Sequence, residues 1–179
     1  MKLKTITRKL MIVCAMAITI TGYGQASKPV PEQKMFSRNT RVDHQVPVPP
    51  DVLKLLLSTR EGKEGMSRAS DAQKQNPAQL FRAAEVHLHG ADEADLVIEG
   101  ISPMANGDHD WFWVVQPAGK KPRIALFAGG NSLEIQDTKS NAYHDISSVW
   151  NYSRETLTTF YKFNGRKYGF KKVLSRKVR

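Results

Sequence analysis

Cysteine is almost missing from this chain. The only one, Cys14, sits inside an apolar run near the N-terminus. The remainder therefore has no disulfide, thiolate metal site or cysteine nucleophile, and its core holds by packing alone. The apolar run, residues 10–20, falls far short of the roughly 20 residues a membrane-spanning helix needs. Six residues of that run still follow Cys14, which is the wrong place for the acceptor cysteine of a lipoprotein. Nucleophile motifs are missing too: there is no G-x-S-x-G, no S-x-x-K and no visible nucleophile paired with its base. Gly129-Gly130 lacks a following Lys-Ser or Lys-Thr, so no phosphate-cradling loop and no cofactor is read. Strand and helix patterns do not alternate, which excludes a parallel doubly wound sheet, and no repeat recurs at a fixed period. Carboxylates, finally, are missing from the C-terminal end: residues 162–179 carry eight Lys and Arg and no Asp or Glu.

What is present begins with an address. Lys2, Lys4, Arg8 and Lys9 precede the apolar run, and small residues follow at Gly22, Gly24 and Ala26. This is the layout of a Sec-type signal peptide over residues 1–26, with Gly24 and Ala26 both acceptable last residues. The mature protein is expected to be periplasmic or secreted, with no transmembrane segment after cleavage. The formal net charge of +10 divides unevenly. Four positive charges belong to residues 1–26 and eight to residues 162–179, so the body between them is −2. The charge is a patch at one end, made by Lys167, Lys171, Lys172, Arg176, Lys177 and Arg179. On an exported protein it would meet anionic lipid headgroups, another polyanionic envelope component or an acidic protein partner. No nucleic-acid recognition motif accompanies it, so specific DNA or RNA binding is not expected. The plain alternative is a solvated tail that aids solubility.

Residues 27–50 combine proline, charge and few apolar groups and read as a disordered spacer. Pro49-Pro50-Asp51 then sets up a helix start, and Val52, Leu53, Leu55, Leu56 and Leu57 give a broad apolar face. So short a helix is marginal alone and has to dock. The rest of 51–79 reads as a polar linker. From residue 80 the pattern changes to short apolar or alternating runs separated by turn residues, at 84–89, 96–98, 111–115, 123–127, 133–135, 146–152, 156–163 and 167–170. The expected fold is α+β but mainly β: a curled antiparallel sheet or small sandwich of about eight short strands over residues 80–173. One N-terminal helix docks on it, and a basic tail follows at 174–179. The strongest local signal is YKF-NG-RKY, in which Asn164-Gly165 predicts a type I′ hairpin turn.

Asp108-His109-Asp110 is the densest cluster of polar functional groups. Its oxygens suit a hard cation, but the pattern lacks the terminal Glu of a calcium-binding hand loop and also reads as a plain turn. His87 and His89 share a strand face and offer two nitrogens to zinc or copper, with Glu85 and Glu99 as candidate partners. No third ligand stands at a defined spacing, so no metal site is assigned. Tyr143-His144-Asp145 invites a His–Asp reading, yet adjacent strand residues point to opposite faces, and Asp145 then serves a turn. Trp111 and Trp113 share a face, as do Trp150 and Tyr152. An exposed pair would form a flat platform for sugar rings or a partner protein; a buried pair is core, and such strands must bury one face.

Several of these segments come in a recognisable order. EVHLHGADEADLVIEG leads to ISPMANGDHDWFWVV, a G-x-S-L-E-like strand, the N-x-Y-x-D-I turn of NAYHDI and the Y-x-F-N/D-G-x-x-Y hairpin of YKFNGRKY. Over residues 80–170 the chain resembles a family of small exported bacterial proteins, mostly uncharacterised. The resemblance implies export and brings no settled activity, and the charged loop MANGDHD departs from the family's uncharged segment. The expected function is a non-enzymatic envelope or secreted binding module. Candidate contacts are Asp108, His109, Asp110, Trp111, Trp113, Tyr143, Asp145 and the basic patch, with no catalytic residue assigned. The alternatives are a hydrolase of an envelope polymer using groups around 108–110, and a metal-binding protein.

Overall fold

A computed structural model describes residues 33–90, 94–118 and 121–178. The expected signal peptide, Cys14 and Arg179 lie outside the described residues. Two sheets, antiparallel throughout, carry the fold. The six-stranded sheet I runs β2 (Gln45–Val46), β3 (Phe81–Val86), β4 (Asp95–Gly100), β6 (His109–Ala118) and β7 (Lys121–Gly130), with β5 (Ala105–Asn106) also paired to β6. The five-stranded sheet II runs β1 (Met35–Phe36), β8 (Ser132–Ser140), β9 (Tyr143–Asn151), β10 (Glu155–Phe163) and β11 (Tyr168–Lys177). The protein is thus mainly β with a helical minority, as expected, and its sheets do not close into a barrel.

Side-chain alternation along sheet I feeds two cores. Val86, Val97, Phe112 and Val114 pack against Leu133, Ile146 and Phe163 of sheet II. On the opposite face Phe81, Ile98, Trp111, Trp113 and Val115 pack under Val52 and Leu56 of helix α1 (Pro50–Ser58). The layers are therefore helix, sheet I and sheet II. A strand covered on both faces reads as a continuous apolar run rather than an alternating one, which explains the unbroken Trp111–Val115 stretch. Sheet II is larger than its cover: β10 is only half-buried along residues 155–161, and β11 is exposed from Phe170 onward.

α1 starts where the prolines placed it, with the Asp51 carboxylate accepting from the Val52 N–H at 2.9 Å. The expected polar linker instead holds two more helices, α2 (Arg60–Arg68) and α3 (Asp71–Gln75). Thr59 caps α2 by accepting from the Gly62 N–H, and Ser70 with Gln73 forms a reciprocal capping box on α3. α2 shows no apolar stripe because its buried positions are Gly62 and Gly65. A Cβ at Gly65 would run into the Met104 sulfur, so the helix docks by close backbone approach. No helix among the described residues is long and apolar enough to cross a membrane.

Three more expectations need correction. From Gln33 the expected spacer is built into the fold: β1 pairs with β8, β2 pairs with β3, and Phe36 is buried between the sheets. The expected basic tail is strand as far as Lys177, because β10 hydrogen-bonds along its length and register needs no burial. The Asn164-Gly165 turn is not type I′. Phe163 pairs with Tyr168 around a four-residue loop in which Asn164 Oδ1 accepts from the N–H groups of Arg166 and Lys167 at 3.0 Å each. The two-residue turn with positive φ at both positions is Asn141 (48°) and Ala142 (68°), closing the β8–β9 hairpin between Ser140 and Tyr143.

Ala142 therefore carries a left-handed conformation that its Cβ disfavours. Ala142→Gly is expected to raise the unfolding free energy by about 0.5–1 kcal/mol, net of the entropy glycine adds to the unfolded chain. Equilibrium denaturation checks this, and a loss of stability would contradict the turn assignment.

Candidate functional site

The Asp108–Asp110 loop is a hairpin turn, with Gly107 at φ 62° and Asn106 paired to His109. Its three polar residues part company. Asp108 is exposed, and its carbonyl accepts from Asn131 Nδ2 at 3.1 Å. Asp110 is buried and fully engaged: Arg38 gives it a backbone N–H at 3.1 Å, Nε at 2.9 Å and a guanidinium nitrogen at 2.7 Å. Arg38 also donates to the Gly107 carbonyl at 3.1 Å. This clamp ties the β1–β2 segment to the start of β6. Beside it Glu99 is held by Arg82 at 2.7 Å. Burial pushes the Glu99 carboxyl above its ordinary range, the Asp110 charge adds to the rise, and Arg82 opposes it.

At the far end of β6 a second polar group lies between the sheets, six residues along the strand or about 20 Å away. Asp95 is fully buried, with His89 Nδ1 3.2 Å from its Oδ2. Burial raises its carboxyl, opposed by His89. The His89 ring stacks on Tyr143 (centroids 4.6 Å apart), Tyr143 on Phe163 (4.0 Å), and Phe163 meets Tyr168 edge-on (5.2 Å). The Tyr168 hydroxyl donates to the His144 carbonyl at 2.8 Å, and burial pushes that phenol upward too. His144 and Asp145 do not face one another. His144 Nδ1 is 2.6 Å from the Gln136 carbonyl, whereas Asp145 accepts from Thr138 at 2.8 Å with Lys162 3.7 Å away. Tyr143, His144 and Asp145 thus join β8, β9 and the hairpin, and they form no His–Asp couple.

The histidines of the β3 end separate as well: His87 is exposed while His89 turns inward. Glu85 and Glu99 lie on opposite faces of sheet I, because Glu85 alternates with Ala84 and Val86 whereas Glu99 shares the Val97 face. Among the described residues no group of three or more His, Cys, Asp or Glu side chains is placed to hold a metal ion.

The two tryptophan pairs take opposite fates. Trp111 and Trp113 are buried, with Phe127 against both rings and the Arg68 guanidinium 5.3 Å over Trp111. Trp150 and Tyr152 are the open pair: their rings lie 8° from parallel with centroids 6.5 Å apart, and Tyr152 is 45% exposed. His109 supports Trp150 from 4.4 Å. Gly129 makes room for it, since a Cβ there would lie 2.9 Å from the indole.

Trp150 is opposite Leu157 on β10, so the platform adjoins the β10–β11 ribbon. On that ribbon Phe170 is 68% exposed, Leu174 50% and Val173 46%, among Lys167, Lys171, Lys172, Arg176 and Lys177. Lys172 lies 5.1 Å over the Phe160 ring. Sequence reasoning also missed a cleft of about 600 Å³ between α1 and the β2 end of sheet I, lined by Val46, Pro47, Val52, Leu96, Val115 and Pro122 with Asp51, Glu85 and Lys121. Its walls come partly from the segment read as a spacer, so no local signal pointed to it. The same holds for Arg38.

Two outcomes follow from the buried charges. Arg38→Met strands the Asp110 carboxylate and should cost about 3 kcal/mol, part of which Asp110→Asn restores in the double variant. Denaturant titration checks both, and a change under about 0.5 kcal/mol would contradict the clamp. For Glu99 the folded-state value is raised, so the folded chain holds the extra proton. Its contribution is therefore present below the unfolded value of about 4.3 and is lost as pH rises through the raised one. The stability of the protein relative to Glu99→Gln should fall with rising pH across that window; a constant gap would contradict a desolvated Glu99.

No protein-family model, no curated protein and no solved structure matches the chain.

Proposed function

We propose that this is an exported protein that works as a non-enzymatic envelope or secreted binding module, and that its contact surface is the uncovered part of sheet II. The observation that carries the reading is the β10–β11 ribbon. Apolar groups at Phe170, Val173 and Leu174 stand open beside a run of cations that contains no carboxylate. Exposed apolar area of this kind marks an interaction surface, and the cations select an anionic partner and speed its approach. The Trp150–Tyr152 platform alongside adds stacking area with little side-chain entropy to lose. Export is supported by the basic start, the short apolar run and the small residues up to Ala26, and by a chain free of thiols beyond Cys14.

A hydrolase centred on residues 108–110 draws less support. Asp110 belongs to the Arg38 clamp and His109 packs under Trp150, which leaves Asp108 as the exposed carboxylate of that loop.

The test uses dextran sulfate as the polyanion and the full chain. Deleting residues 171–177 would remove the partner of β10, so charge is removed instead by Lys171→Gln, Lys172→Gln and Arg176→Gln together. At about 1 kcal/mol per cation the affinity should drop roughly a hundredfold. Binding of the unaltered chain should also weaken with salt. Equal affinity for the variant would overturn the reading.

A further inference from the structure

β11 is the last strand of sheet II and has no partner on its outer side among the described residues. The direction of its peptide groups can be read from one bond. The Val178 N–H donates to the Arg154 carbonyl at 3.0 Å, and the register continues Lys177 to Glu155, Arg176 to Thr156 and onward. In an antiparallel ladder such bonded pairs alternate. Lys172, Leu174 and Arg176 therefore turn their N–H and C=O groups onto β10, and Val173, Ser175 and Lys177 turn theirs off the sheet. The bulge lies next to Lys171, at one end of this open stretch. The other edges are poorer templates. β1 and β2 have two residues each, and β7 lies against β9 and the start of β11.

We infer that the open edge of β11 receives an extended, acidic segment of a partner protein as an added antiparallel strand. This rests on the binding-module reading above and names the partner and the mode. The charges decide the occupant. A second copy docked edge to edge would bring Lys171, Lys172, Arg176 and Lys177 against the same four side chains, and like charges across a ladder repel. The cations that forbid self-pairing leave an acidic strand as the complementary one. The faces define its pattern. Val173, Ser175 and Lys177 share one face; Lys172, Leu174 and Arg176 share the other. A strand set antiparallel from Lys177 back to Lys172 thus meets a cation, a cation, a hydroxyl, two apolar groups and a cation. The matching order is acidic, acidic, polar, apolar, apolar, acidic, as in Glu-Glu-Thr-Val-Val-Glu.

The experiment adds a peptide with that core to the full chain and follows amide hydrogen exchange by NMR. A second peptide is N-methylated at alternate amides, which keeps the charge and blocks strand pairing. The amides of Val173, Ser175 and Lys177 should exchange slowly only with the unmethylated peptide, by about tenfold or more, and the methylated one should bind at least about tenfold more weakly. Ser175→Pro removes one outward N–H from an edge position that tolerates proline, so it should weaken peptide binding without lowering the melting temperature much. Equal binding of both peptides would overturn strand addition while leaving the electrostatic module intact. Phosphatidylglycerol vesicles that bind while those amides stay fast would overturn it in favour of a lipid surface. A dimer whose three amides are already protected without peptide would overturn it in favour of a second copy.

Discussion

The strand β6 is squeezed between a helix and a second sheet, and the rest of the molecule is arranged around that double burial. Trp111 to Val115 put five consecutive side chains out of water, three toward α1 and two toward sheet II. At about 2 kcal/mol per buried large side chain, that run alone supplies burial energy comparable to the net stability of an ordinary domain. With no disulfide framework available, such packing is the main stabilising resource. It also fixes where polar groups go. The carboxylates that enter the sandwich, Asp95, Glu99 and Asp110, sit toward the two ends of the sheet, each with a basic partner.

Coverage differs between the two sheets. Sheet I is covered on both faces by layers of its own chain, whereas sheet II extends past it. The first half of β8 and the middle of β9 lie under that cover, and the ribbon of β10 and β11 runs beyond it from its buried Phe163–Tyr168 end. The ribbon holds its shape through ladder hydrogen bonds and cross-strand pairs, so the exposed side chains of β11 from Phe170 onward are free to meet something else. Beyond residue 26 the net positive charge is concentrated on this part, which the core needs least.

Much of this was legible in the residues. The β class, the docking helix at Pro50 and the strand runs at 96–98, 111–115 and 146–152 announce themselves through apolar spacing or proline, whereas the run at 84–89 marks a strand that in fact starts at Phe81 and ends at Val86. Other parts could not be read locally. α2 docks through glycines, so it has no apolar stripe to count. Arg38 looks like a spacer residue until Asp110, 72 positions away, is placed beside it. The polar ends of β8 and β11, with Gln136 to Lys139 and Lys171 to Lys177, are strand because of their hairpin partners rather than their composition. Asn164-Gly165 marked the hairpin correctly but not its turn, since the Asn164 side chain closes a wider loop. Of the candidate contacts, Trp111 and Trp113 are buried under α1, Asp110 and Asp145 are buried and Tyr143 is partly buried against the core, while Tyr152 of the platform is exposed.

Native-state hydrogen exchange across increasing denaturant tests the central claim most directly, because it separates global from local opening residue by residue. If β6 is the doubly covered centre, the bonded amides from Trp111 to Val115 exchange only when the whole domain unfolds. Those of Lys172, Leu174 and Arg176, although bonded to β10, exchange through a smaller opening of lower free energy. Equal opening energies for β6 and β11, or a β6 that opens before the ribbon does, would contradict the account.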